Sequence, residues 1–238
     1  MIKECYDIGH RHFGENYVDQ LIDKAPQVHS SSSSLSITGV ILSLWLFSQL
    51  PDDIKWHFIG AIQSNKVKQI VSVPNVFMVE TIDREKIANS FQKALEKEED
   101  RDPLRVLVQV NPAHEDTKSG ITNKEDLLAL VRHIKDNCSK LQFSGLMVIG
   151  RPGELGDLDQ LVSYKEYLLE QIPDLADLNP FELSMGMSDD FPDAVSSVQE
   201  LTPVNELTLF PRSPEAVPTS AWGAQYLEHV INLSPVRK

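Results

Sequence analysis

The residues best suited to chemistry fall in a few short runs. Ser184-Met185-Gly186-Met187-Ser188 combines glycine, which lets backbone approach a phosphate, with serine hydroxyls that can donate to one. The alternative for this run is a strand-to-helix turn without a ligand. Asn16, within Phe13-Gly14-Glu15-Asn16-Tyr17, is a polar side chain at an expected strand end; the same residue also serves well as a helix N-cap. Lys118-Ser119-Gly120 follows an apolar strand run, so Lys118 either lines a pocket mouth or is a solvated loop lysine. His57, in Trp56-His57-Phe58-Ile59-Gly60, is placed near the start of its strand, which favours packing over catalysis, while Gln63 and Asn65 fall nearer the other end. His10 and His12 form an H-x-H pair with no evident third ligand, so no metal site is assigned. The phosphate-loop, nucleophile-elbow and zinc-protease motifs do not occur.

These runs need elements to hold them. Helices are predicted over 2–9 (stopped by Gly9), 17–24, 65–71, 83–97 (with Asp83 as N-cap), 124–137 and 158–171. Within 124–137, Leu127, Leu128, Val131 and Ile134 recur at helical spacing. Strands are predicted over 12–16, 55–60, 76–79, 104–110, 143–149 and 181–186. Strands alternating with helices imply parallel pairing through right-handed crossovers. A doubly wound sheet and a (β/α)8 barrel both fit, and in either fold ligands meet the C-terminal ends of the strands.

Composition narrows the partners. The chain has 238 residues, 41% hydrophobic and 24% charged, as expected of one large globular domain. A net charge of −13 disfavours nucleic acid and anionic membrane surfaces, which reward Lys and Arg. Cys5 and Cys138 are widely spaced and are expected to be reduced thiols in a cytoplasmic protein, without excluding mitochondria. The charged N-terminus carries no apolar signal-peptide core. The apolar stretch over 35–50 has short unbroken runs, below the ~18 residues of a spanning helix.

Taken in order, the Phe-Gly-Glu-Asn-Tyr, Trp-His-Phe-Ile-Gly, Lys-Ser-Gly and Leu-Ser-Met-Gly-Met-Ser runs resemble the pyridoxal phosphate homeostasis proteins. That family shares its fold with the N-terminal barrel of alanine racemase. The resemblance covers about 1–27 and 50–195 and implies an α/β (β/α)8 TIM-type barrel. It implies that the chain binds pyridoxal 5′-phosphate and buffers its supply, without turnover. Asn16, Ser184, Gly186 and Met187 are then the cofactor-binding residues. Apo-enzymes that use the cofactor are possible recipients, and a monomer is expected. The family's Schiff-base lysine lies in a strand before the first block. Only Lys3 precedes Phe13 here, within a predicted helix, so no catalytic lysine is assigned. A racemase-like enzyme is the alternative, though it needs a second domain that supplies another base.

Two segments depart from the pattern. The insert over 28–49 contains five consecutive serines, Ser30 to Ser34; deleting it joins Gln27 to Leu50 in family-like text. It begins with Val, whose codons start GT, and ends with Gln, whose codons can end AG. A translated in-frame intron fits these features, and a tolerated surface loop is the alternative. The stretch 196–238 contains Pro203, Pro211, Pro214, Pro218 and Pro235, which argue against a regular helix–strand unit and for an off-pattern tail. Together these features predict an incomplete barrel with two unpaired sheet edges and low stability, and a non-functional fragment is the third possibility.

Overall fold

Alternating β-branched runs and amphipathic helices build a parallel sheet with helices packed on its outer face. The structure, a computed structural model, describes residues 2–25, 50–98, 100–151, 156–178, 181–187, 207–210 and 231–232. The insert over 28–49 and most of 188–238 lie outside these residues.

In chain order the elements are α1 (Ile2–Asp7), β1 (His12–Glu15), α2 (Val18–Lys24), β2 (Lys55–Phe58), α3 (Val67–Val71), β3 (Val76–Ile82), α4 (Glu85–Leu95), β4 (Leu104–Val110), α5 (Lys124–Asn137), β5 (Leu141–Val148), α6 (Gly156–Gln171), β6 (Glu182–Met187), β7 (Leu207–Phe210) and β8 (Ile231–Asn232). Short 3-10 turns at Ser64–Lys66 and Pro173–Asp177 precede α3 and β6. The strand order is β7-β6-β5-β4-β3-β2-β1-β8, with every pair parallel. The outermost strands, β7 and β8, approach within 8 Å at their Cα atoms. The sheet therefore curls into the α/β barrel form, with all strand C-termini at one end.

The helices follow their apolar periodicity. α4 buries Ile87, Ala88, Phe91 and Leu95, and α5 buries Leu127, Leu130, Val131 and Ile134. Asn123 caps α5, its side chain accepting from the Asp126 N–H at 2.8 Å. Gly9 follows α1 at φ +106°, a left-handed stop that glycine adopts without a Cβ clash. Asp83 is not the cap of α4: the helix starts at Glu85, Arg84 occupies the N-cap position, and Asp83 binds the Arg84 guanidinium at 2.7 Å.

The outer layer is one apolar cluster. Phe13, Trp56, Phe58, Val79, Val106, Val108, Leu183 and Met185 face the helices. Residues alternating with these face inward. The inner apolar cluster is small: Met78, Leu107 and Met147, flanked by Phe77 and Ile149.

Three strand expectations need correction. β3 runs to Ile82 rather than Val79, because Glu80 and Thr81 are buried and hydrogen-bonded inside the sheet. β2 spans only Lys55–Phe58, so His57 lies one residue from its C-terminal end, not near its start. The two sheet edges are displaced rather than removed: β8 flanks β1 and β7 flanks β6, and among the described residues no pairing joins β7 to β8. These two short strands come from the proline-bearing stretch, where a local pattern gives little sign of long-range pairing.

Candidate functional site at the strand C-termini

The end of β1 is held by its own last residue. Glu15 is fully buried, and its Oε1 accepts from the backbone N–H of Asn16 at 2.8 Å and of Tyr17 at 3.1 Å. Its other oxygen pairs with Lys24 of α2. Asn16 thus sits half-buried in a bend beyond β1, and Tyr17, not Asn16, is the N-cap of α2. The end of β2 presses on this bend: a Cβ on Gly60 would lie 1.9 Å from the Asn16 carbonyl oxygen. Only glycine permits so close an approach. Thr81 at the end of β3 donates to the Gly60 carbonyl at 2.6 Å, fastening three strand ends together.

The loop after β4 is equally well tied. Asn111 donates to the carbonyls of Glu115 at 2.9 Å and Lys118 at 3.0 Å, and Gln109 donates to Ser119 O at 2.7 Å. Lys118 is not a solvated loop lysine. Its Nζ donates to Ile149 O at 3.0 Å and Gly150 O at 3.1 Å, and pairs with Glu115 at 2.6 Å. It therefore bridges the C-terminal ends of β4 and β5. Nearby, Arg151 binds Asp157 through its guanidinium and backbone, which holds the Asp157 carboxyl below the usual range.

Ser184 points inward from β6, fully buried; its Oγ makes no hydrogen bond of ordinary geometry among the described residues and lies near enough to the Glu80 carboxyl to favour its charged form. Gly186 and Met187 are the last residues of β6; Ser188, Asp189 and Asp190 lie outside the described residues. Asn16 and Ser184 belong to strands at opposite sides of the sheet, but parallel pairing puts both at the same end of the barrel. Gln63 and Asn65 are exposed beyond β2, and Lys3 is exposed on α1.

Below this end the interior is polar. His12 Nδ1 and His57 Nε2 are 2.8 Å apart, and His57 Nδ1 lies 2.6 Å from Glu80 Oε1. Burial pushes the Glu80 carboxyl up to about 8, against the opposing influence of the Ser184 hydroxyl and of His12. Arg105 of β4 pairs with Glu182 of β6, reaching past β5. Both His rings, Lys55 and Arg105 lie around the Phe77 ring. His57 therefore belongs to a hydrogen-bonded interior chain rather than to simple packing. The sequence signal that could have found it is Glu80, a carboxylate inside the otherwise apolar run Val76–Ile82.

Comparison with known proteins gives consistent relatives. A Caenorhabditis elegans pyridoxal phosphate homeostasis protein is 40% identical over 202 residues, covering 82% of this chain and 74% of that protein. The chain belongs to the pyridoxal phosphate homeostasis protein family. The mouse member is 37% identical over 203 residues, and the human member 38% over 201; the chain spans 66% of the length of each. Among solved structures, PipY of Synechococcus elongatus PCC7942 with pyridoxal phosphate bound matches with a TM-score of 0.62 and 25% identity, over 87% of this chain and 83% of PipY. The same protein without the cofactor gives 0.64 and 27%. No family model matches the chain. No helix among the described residues is long and apolar enough to cross a membrane, and none of their His, Cys, Asp and Glu side chains form a group of three placed for a metal.

Proposed function

We propose that this chain binds pyridoxal 5′-phosphate at the C-terminal end of its barrel and serves the cofactor's cytoplasmic supply without catalytic turnover. The observation that carries this is Ser184: a fully buried hydroxyl that makes no hydrogen bond of ordinary geometry among the described residues, on the strand that ends in Gly186 and Met187. A buried polar atom of this kind normally has a partner, and a phosphate oxygen would supply one. The family relatives and the pyridoxal phosphate-bound PipY structure support the same ligand.

The residues present fit the group. Ser184, with the backbone at Gly186 and Met187, would hold the phosphate end. Asn16, anchored by Glu15 and Gly60, would face the ring. Lys118 brings an amine to the same end of the barrel, oriented by the Ile149 and Gly150 carbonyls. When bound, pyridoxal 5′-phosphate supplies an aldehyde that condenses with primary amines and an electron-withdrawing ring. The protein's own part is to bind, orient and shield it. The proposed role extends to a monomer that passes the cofactor to apo-enzymes.

The test is an absorbance spectrum of the purified chain after loading with pyridoxal 5′-phosphate and dialysis, with and without borohydride. A retained near-ultraviolet or visible band, weakened by Ser184→Ala, is the expected result. No retained cofactor would overturn the proposal and favour a non-functional chain. Racemisation of a free amino acid by the loaded chain would instead replace the carrier role with an enzymatic one.

A further inference from the structure

The outer layer, between α6 and the sheet, holds a buried amine. Lys165 lies in the second half of α6 and is only 9% exposed. Leu161, Val162 and Leu168 sit one turn away on the same helix face, all buried in the outer apolar cluster. The Lys165 Nζ is 5.5 Å from the centre of the Phe181 ring, and Phe181 meets the Phe143 ring edge-on at 5.9 Å. Phe181 directly precedes β6, so Lys165 lies toward the end of the barrel opposite the strand C-termini. Among the described residues its Nζ has neither a hydrogen-bond nor an ion-pair partner.

A lysine ammonium carries three N–H donors, which water satisfies on a surface. Here water is largely replaced by aliphatic and aromatic groups, and an aromatic face attracts a cation without accepting three hydrogen bonds. Burial therefore disfavours the charged form and holds the amine below the usual lysine range, against the pull of the exposed Glu166 beside it. The other charged groups on neighbouring elements are engaged or outward. Lys124 of α5 binds Ser163 and lies over the Tyr164 and Tyr167 rings, and Arg132 of α5 reaches the Gln171 carbonyl. Glu182 of β6 pairs with Arg105, and Asp174 and Asp177 in the turn after α6 are exposed. A desolvated lysine that sheds its proton exposes a nucleophilic lone pair.

We propose that Lys165 is a covalent acceptor site for small uncharged aldehydes, separate from the cofactor end of the barrel. The ammonium first gives one proton to solvent. The neutral Nζ then attacks the aldehyde carbon, and the carbonyl oxygen leaves as water with the two remaining Nζ hydrogens, giving an imine. No oxidant or reductant is needed, and the step reverses by hydrolysis. The surroundings set the class of aldehyde. Phe143, Phe181 and the aliphatic face of α6 pack against a small apolar group and offer no donors to a phosphate. A phosphorylated aldehyde would have to bury about two negative charges there without partners. Pyridoxal 5′-phosphate is therefore excluded from this site, and the inference does not rest on the cofactor assignment.

The experiment is brief treatment of the folded full chain with acetaldehyde and a mild borane reductant between pH 7 and 10, followed by peptide mass spectrometry. The exposed Lys68 and Lys97 serve as references. Their labelling should rise by about tenfold per pH unit over most of this range, because little of an ordinary lysine is neutral there. Restricted access scales the Lys165 rate by a constant factor, so the ratio of Lys165 to Lys68 labelling isolates protonation. That ratio should fall by about threefold or more from pH 7 to pH 10, and should be flat when the chain is unfolded in urea. Pyridoxal 5′-phosphate with borohydride should leave Lys165 unlabelled. No acetaldehyde label on Lys165 in the folded chain, or a ratio that does not change with pH, overturns the inference. A pyridoxal phosphate adduct at Lys165 as abundant as the acetaldehyde one overturns the assigned class. A second measurement needs no label: Lys165→Met, which keeps the side-chain length without the amine, should melt at the wild-type temperature or above it. A clearly lower melting temperature would mean that the amine makes a stabilising bond, and would overturn the site.

Discussion

The two faces of the barrel wall are made by the same strands and have opposite characters. Outward, Phe13, Trp56, Phe58, Val106, Val108 and Leu183 merge with the helices in one dry layer. Inward, the apolar cluster shrinks to a few side chains around Met78, Leu107 and Met147; His12, His57, Glu80, Glu182 and Ser184 are buried there, with Arg105 half-buried beside them. Strand alternation lets one segment serve both purposes. The outer face supplies non-directional burial, which tolerates any well-packed apolar set. The inner face holds polar groups that need specific partners, because an unpaired buried polar atom is costly. Stability should therefore reside mainly outside and pH sensitivity mainly inside.

The largest expected effect tests the outer face. Phe58→Ala should cost about 3–5 kcal/mol in denaturant unfolding, as expected for truncating a fully buried aromatic. A loss below ~1 kcal/mol would break the comparison, because the outer layer would not be the main source of stability.

The inner face is tested by pH. Glu80 has its proton affinity raised in the folded state, from an ordinary 4.5 to about 8. The folded state then binds more protons than the unfolded one between these values. Its contribution is fully present below 4.5 and is lost as pH rises through about 8. Wild-type stability should fall across this window, by at most about 1.4 kcal/mol per pH unit from this group. Thermal melts of Glu80→Gln should show a flatter profile. A profile as steep as wild type would move the pH sensitivity elsewhere.

Smaller changes sharpen the boundary between scaffold and site. Gly60→Ala should cost about 1–3 kcal/mol and displace the Asn16 bend, since its Cβ meets the Asn16 carbonyl at 1.9 Å. Ligand retention measured beside stability should fall more than the stability loss explains. Asn123→Ala, remote from the site, should cost about 1 kcal/mol through loss of the α5 cap and leave ligand retention unchanged.

Much of the scaffold was legible in the sequence. The helix over 124–137 is legible because its apolar spacing is local. The strand over 104–110 was equally clear from its run of β-branched residues. Less of the site was legible. Lys118 read equally well as solvated or lining, because the carbonyls that hold it lie 31 and 32 residues away. β3 was cut short at Glu80, since a carboxylate ends an apolar run unless a distant partner accepts it. The proline-bearing stretch gave no local sign that Leu207–Phe210 and Ile231–Asn232 would pair with β6 and β1.

By itself, then, the sequence determined the alternation of strands and helices, the outward apolar face and the order of the family's short runs. These depend on spacings of two to four residues, which neighbouring side chains set directly. Only the tertiary structure decided which polar groups meet. His12 and His57 are 45 residues apart, and His57 and Glu80 are 23 apart. Their contact depends on how far the sheet curls and on the register of each strand, which no local pattern encodes.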